Sequence, residues 1–227
     1  VLRVNPSLAQ DFQSLLARIQ AASGAPVKLV AVSKTHSASA VRALAALGQQ
    51  AFGENYAQEG VRKCRELADL ALEWHFIGPL QSNKCKDIAR HFDWLQTLDR
   101  ASLIEPLARH RPPTAEALNV LIQVNIDDED SKSGIGLEDL PELAFQVVGA
   151  PCLRLRGLMA IPAPWPDAQT RQASFRRLHT AFMSLKAQFP AIDTLSMGMS
   201  EDFEMAIGEG ANLVRVGSAI FGARTHT

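Results

Sequence analysis

The chain has 227 residues, 47% of them hydrophobic, and carries 23 basic against 24 acidic side chains for a formal net charge of -1. That length can bury a large core as one α/β domain or two small ones, and so even a charge balance gathers neither nucleic acid nor an anionic membrane. Cys64, Cys85 and Cys152 are far apart and odd in number, which argues against a disulfide framework or a zinc site and for a reducing, cytoplasmic setting.

The N-terminal run VLRVNPSLAQDFQSLLARIQ breaks its apolar positions with Arg3, Asn5, Gln10 and Asp11, so it reads neither as a signal peptide nor as a spanning segment. It reads instead as an opening helix capped by Ser7, with Leu8, Phe12, Leu15, Leu16 and Ile19 on one face and Gly24 and Pro26 as the stop. Strands follow at 27–33, 50–54, 73–78, 94–98, 118–125, 153–161, 194–198 and 212–217, each a short run rich in apolar or β-branched residues. Helical patterns separate them, among them SASAVRALAALG, AQEGVRKCRELADL, LEDLPELAFQVV and TRQASFRRLHTAFMSLKAQF. Eight strands alternating with helices predict a single (β/α)8 barrel over residues 1–227, its last helix short or supplied by the N-terminal one. An open doubly wound sheet is the alternative, because a sequence pattern does not report closure.

In such a barrel, chemistry sits at the carboxyl ends of the strands, and phosphate groups bind at the loops after strands seven and eight. Here those loops carry Ser200 in SMGMSED and Gly217 and Ser218 in RVGSAIFG, residues that can offer hydroxyls and a close backbone approach to an anion. Taken singly, Ser200 would be a helix cap and Gly217 a turn residue. The first strand, LVAVSK, ends on Lys34, which shares the parity of Val30 and Val32 and would point inward beside the proposed phosphate cup. A partly desolvated lysine there suits Schiff-base chemistry, with a phosphorylated sugar as in lysine aldolases or with pyridoxal 5'-phosphate (PLP). Arg215, on the parity of Leu213, favours PLP, since a fixed guanidinium can bond the pyridine nitrogen while withholding a proton from it. The bland alternative pairs Arg215 with Glu201 or Asp202.

The segments AVSKTHSASAV, FGENYAQE, WHFIGPLQSNK, GLMAIPAP, LSMGMSEDFEMAI and VRVGSAIFGAR together resemble the YggS/PROSC family, the pyridoxal phosphate homeostasis proteins, over nearly the whole chain. The resemblance implies a barrel like the N-terminal domain of alanine racemase, with PLP held as a Schiff base on Lys34. It implies phosphate contacts from Ser200, Gly217 and Ser218, Arg215 at the ring nitrogen, and Asn55, His75 and Met199 in the cofactor pocket. Lys132 resembles a second lysine linked to PLP handling. Read from the residues alone, His75 is a core strand histidine, Asn55 a turn residue, Tyr56 a packing residue and Lys132 a solvated counter-charge. The chain departs from the family at His36, where another lysine often occurs. The remaining histidines have no metal-like spacing, so no metal is expected.

Racemisation on PLP needs a base on each face of the ring, and a racemase supplies one from a second domain. The sequence ends soon after its eighth predicted strand and holds one tyrosine, Tyr56. The expectation is therefore a monomeric PLP carrier that maintains vitamin B6 and amino-acid balance and serves PLP-dependent apo-enzymes, with little or no catalysis. A PLP-dependent amino-acid racemase using Lys34 as a base is the alternative.

Overall fold

The computed structural model describes residues 6–129 and 133–222, in which eight parallel strands close into a barrel. The strands are β1 (Lys28–Val32), β2 (Ala51–Glu54), β3 (Glu73–Phe76), β4 (Trp94–Leu98), β5 (Leu118–Gln123), β6 (Leu153–Met159), β7 (Thr194–Ser196) and β8 (Leu213–Val216). Every predicted strand is present, trimmed by at most two residues at either end. Most of the trimming falls at carboxyl ends, where the chain leaves the sheet to build the barrel's upper rim. β1 pairs with β2 on one side, Ala31 opposite Phe52, and with β8 on the other, Val30 opposite Arg215. That double pairing closes the sheet and removes the doubly wound alternative.

Alternation along each strand divides the buried residues between two compartments. Leu29 and Ala31 belong to the large core between strands and helices, whereas Val30 packs with Ala51 and Leu213 inside the barrel. Trp94, Leu121 and Met159 form a second apolar group inside it. Because both faces of a parallel strand are covered, the strands read as nearly continuous apolar runs.

The helices described are α1 (Pro6–Ala22), α2 (Ala38–Ala45), α3 (Ala57–Glu66), α4 (Cys85–His91), α5 (Ile104–His110), α6 (Leu140–Val148), α7 (Ala168–Gln188), α8 (Phe203–Gly208) and α9 (Ser218–Phe221). Their ends follow local chemistry. Ser37 caps α2 by accepting the Ala40 N–H at 3.3 Å, and Asp167 caps α7 by accepting the Thr170 N–H at 2.8 Å. In α6 the predicted onset at 137 moves to Leu140, with Pro141 in the first turn, where its missing N–H costs nothing. Ser7 lies inside the first turn of α1 rather than capping it. α9 has only four residues, and α1 packs against α8 and α9 with Phe12, Leu15 and Ile19 buried, so the N-terminal helix does cover this part of the barrel. Among the described residues, no helix is long and apolar enough to cross a membrane.

Candidate functional site

A cavity of about 440 Å³ opens at the carboxyl ends of the strands, lined in part by Lys34, Met199, Ser200, Arg215, Gly217 and Ser218. The loop at 162–166, which follows β6, forms another wall. Lys34 is half-buried in the turn just beyond β1, and Arg215 lies one strand over, on β8 opposite Val30. Six of the nine expected site residues thus share one cavity. Asn55 and His75 do not line it, and Lys132 lies outside the described residues.

The loops expected to form a phosphate cup differ in detail from a helix terminus. Ser200 does not cap α8, which begins only at Phe203. The Asp202 carboxylate accepts the Met199 N–H at 2.7 Å and folds residues 199–202 into a turn ahead of the helix. Ser200 is therefore left to accept a hydrogen bond from the Ser218 hydroxyl at 3.0 Å, which places two hydroxyl groups side by side on the cavity wall. Gly217 sits between them and β1, where a Cβ would approach the Val32 carbonyl oxygen to 3.0 Å, and glycine lets the two backbones pass.

Arg215 is buried, and its guanidinium donates to the Ser196 hydroxyl at 2.5 Å and to the Ala160 carbonyl at 2.9 Å. Neither Glu201 nor Asp202 bonds it, so the surface ion-pair alternative does not describe it. Burial pushes its pKa down to about 10, which leaves it cationic at neutral pH. His36 stacks on Phe221 with ring centroids 4.5 Å apart, at the edge of the same cavity.

Beneath Lys34 lies a charged cluster that the sequence reading missed. Lys63, on α3, is fully buried and donates to the Ser33 carbonyl at 2.6 Å and to Glu54 Oε1 and Glu59 Oε1 at 2.7 Å each. Ser33 Oγ donates to Glu54 Oε1 at 2.6 Å, and the Thr35 N–H donates to Glu59 Oε1 at 2.7 Å. Both neighbours of Lys34 are therefore tied to carboxylates, Ser33 to the buried Glu54 and Thr35 to the half-buried Glu59. Thr35 is held at φ 67°, a left-handed conformation that costs a residue with a Cβ about 1–2 kcal/mol. Burial pushes the Glu54 carboxyl above its ordinary range despite the Lys63 ammonium and the Ser33 hydroxyl. Glu59 and Lys63 stand at helical i,i+4 spacing and read as an ordinary surface pair. The available signal was that Lys63 falls among Gly60, Val61 and Cys64 on the helix's apolar side.

His75 occupies the barrel interior, fully buried on β3 and stacked on Trp94 with centroids 5.1 Å apart. Its placement is that of the core histidine read from the residues alone. Asn55 follows β2, half-buried, and its Oδ1 has no hydrogen-bond partner. Tyr56 is 58% exposed at the start of α3, so it is not a packing residue.

A family described as alanine racemase, N-terminal domain, matches residues 9–225. A pyridoxal phosphate homeostasis protein from Pasteurella multocida (strain Pm70) is 50% identical over 232 aligned residues, covering 100% of both chains. The structure of PipY from Synechococcus elongatus PCC7942 with PLP bound superposes with a TM-score of 0.84 at 37% identity, over 95% of this chain and 100% of that one. Alanine racemase from Corynebacterium glutamicum shares the fold, with a TM-score of 0.70 at 20% identity, but this chain covers only 61% of it. Extent, identity and fold agree, and the chain belongs to the pyridoxal phosphate homeostasis protein family, within the alanine racemase N-terminal-domain barrels.

Proposed function

We propose that this protein binds pyridoxal 5'-phosphate in the cavity above β1 and β8, holds it through Lys34 and releases it again, acting as a carrier in vitamin B6 and amino-acid homeostasis. The observation that carries this reading is the convergence of an amine, a buried guanidinium and a pair of hydroxyls on one cavity of about 440 Å³. These groups match an aldehyde, a pyridine nitrogen and a phosphate. PLP bound to PipY and the homeostasis role of the Pasteurella relative support the same assignment.

Each residue's part follows from its chemistry. The Lys34 amine condenses with an aldehyde carbon, one C=N bond replacing C=O with loss of one water, and hydrolysis reverses the step. Ser200 and Ser218 donate to phosphate oxygens, and Gly217 allows the backbone to come close. Arg215 donates to the ring nitrogen without surrendering its proton. When bound, PLP supplies an electron-withdrawing ring, which is a weaker electron sink while that nitrogen stays unprotonated. Asn55 and Lys132 complete the proposed set as residues that assist PLP handling, Asn55 from outside the cavity wall. The setting this reading implies is a cytoplasmic monomer that passes PLP to apo-enzymes.

The test is addition of PLP to ligand-stripped protein, followed by absorbance. We expect a band for the lysine-bound cofactor in the wild type and its loss in Lys34→Ala. Equal bands in both would contradict attachment at Lys34. Sustained, Lys34-dependent loss of optical activity from an amino acid would contradict the carrier role.

A further inference from the structure

A single file of polar side chains, buried from Arg215 to His75 and ending on the half-buried Glu73, runs down the barrel axis from the cavity floor to the opposite end. Arg215 Nη1 donates to Ser196 Oγ at 2.5 Å, and Ser196 Oγ donates to Gln96 Oε1 at 2.7 Å. Gln96 Nε2 lies 2.9 Å from His75 Nδ1, and His75 Nε2 lies 2.6 Å from Glu73 Oε1, which also accepts from Lys28 Nζ at 2.6 Å. Ser196, Gln96 and His75 are fully buried, so water does not offer them substitutes.

One proton assignment satisfies every contact. Ser196 spends its single proton on Gln96 Oε1, so Gln96 turns its N–H toward His75. Nδ1 of His75 must then accept, and Nε2 must carry the proton donated to the Glu73 carboxylate. Every donor in the file points from Arg215 toward Glu73. A proton on Nδ1 would face the Gln96 amide donor to donor, and the amide could answer only by rotating. That rotation would turn an N–H toward Ser196 and displace the serine proton from its acceptor.

We propose that His75 is a positioning residue for Arg215, acting through Gln96 and Ser196 to fix the guanidinium that meets the cofactor ring. The proposal rests on the PLP reading above and adds a residue remote from the cavity to it. Burial pushes His75 below its ordinary pKa, against the opposing pull of Glu73, and keeps it neutral at pH 7. The charged groups that act on it are Glu73 from β3, Lys28 from β1 and Asp93 ahead of β4. Arg156, on β6, has Trp94 as a common neighbour with His75, its guanidinium lying 4.7 Å from that ring's centroid.

The test compares Gln96→Met, His75→Leu and His75→Asn. Met and Leu remove the file's hydrogen bonds, whereas the Asn Oδ1 can stand where His75 Nδ1 accepts from Gln96. Borohydride reduction of the wild type comes first, and absence of a pyridoxyl group on Lys34 would count against the PLP reading and not against the file. With PLP bound, the pH midpoint of its absorbance should move by about half a pH unit or more in Gln96→Met and His75→Leu, and stay near wild type in His75→Asn. Asn leaves the larger void, so a purely structural role predicts the reverse order, with His75→Asn the most perturbed. That order, or unmoved midpoints in all three, would overturn the proposal. Nitrogen NMR of the cofactor-free wild type provides a readout independent of loading. A neutral His75 protonated on Nε2 is expected, and an imidazolium or an Nδ1–H form at pH 7 would overturn it.

Discussion

At the residue scale, the cavity is specified by a few groups whose neighbours decide what they can do. The Ser200 and Ser218 hydroxyls bond each other and no backbone terminus, which leaves both on the cavity wall for an anion. Removing both as Ser200→Ala with Ser218→Ala should lower PLP affinity by about tenfold or more, a conservative figure for two hydrogen bonds to a charged group, with the thermal midpoint unchanged. Equilibrium dialysis against PLP gives the answer, and unchanged affinity would remove these serines from the site. Lys63 is the converse case, a charge used entirely inside the protein. Lys63→Met leaves Glu54 and Glu59 without their counter-ion and should cost about 3 kcal/mol of stability, measured by urea unfolding. It should also loosen the tie between α3 and the Lys34 turn, because the Ser33 carbonyl loses the Lys63 ammonium and keeps only the His36 N–H. The sequence made Lys34, Arg215 and the serines legible because each ends a strand or follows one, where parity and the barrel rule give a location. Lys63, Gln96 and Ser196 carry no such mark. The Ser196–Gln96 bond joins positions 100 residues apart, and no local pattern encodes it.

At the element scale, strand periodicity located every strand, whereas helix ends moved both where capping chemistry intervened and where it did not, α3 stopping at Glu66, four residues short of its predicted end at Leu70. Pro141 delays α6, and the turn closed by Asp202 delays α8, which in turn frees Ser200 from a capping role. The N-terminal helix shows how a short α9 is compensated, with Phe12 buried in the core and Arg18 bridging to Glu204 on α8. Phe12→Ala should therefore cost about 3–5 kcal/mol, read as a lowered urea midpoint, while a change near zero would mean that α1 is not part of the cooperative core. At the barrel's lower end, Lys28 on β1 and His75 on β3 meet at Glu73. Burial raises the Glu73 carboxyl, but these two partners more than offset it and hold its pKa at about 2, below its ordinary 4.5. A depressed carboxylate adds stability above its unfolded pKa and loses it as pH falls through the folded one. The stability difference between wild type and Glu73→Gln should thus be constant above pH 4.5 and shrink as pH drops toward about 2. A difference that stays constant down to pH 2 would show that Glu73 makes no such contribution.

At the scale of the whole molecule, closure brings the function together. Lys34 and Arg215 are 181 positions apart in sequence (215 minus 34) and become neighbours only because β8 pairs with β1. The fold class was readable from alternation, but closure was not, since an open sheet uses the same pattern; the β1–β8 pairing decides it. The barrel presents one amine, one buried guanidinium and two hydroxyls to the cavity, along with the His36 ring and the Glu201 and Asp202 carboxylates, and the chain's only tyrosine, Tyr56, stands exposed away from it. The central claim is that Lys34 is the residue holding PLP, and borohydride reduction of protein isolated without added ligand, followed by peptide mass analysis, tests it most directly. The account predicts a pyridoxyl adduct on the peptide containing Lys34; an unmodified Lys34, or an adduct confined to Lys132, would contradict it.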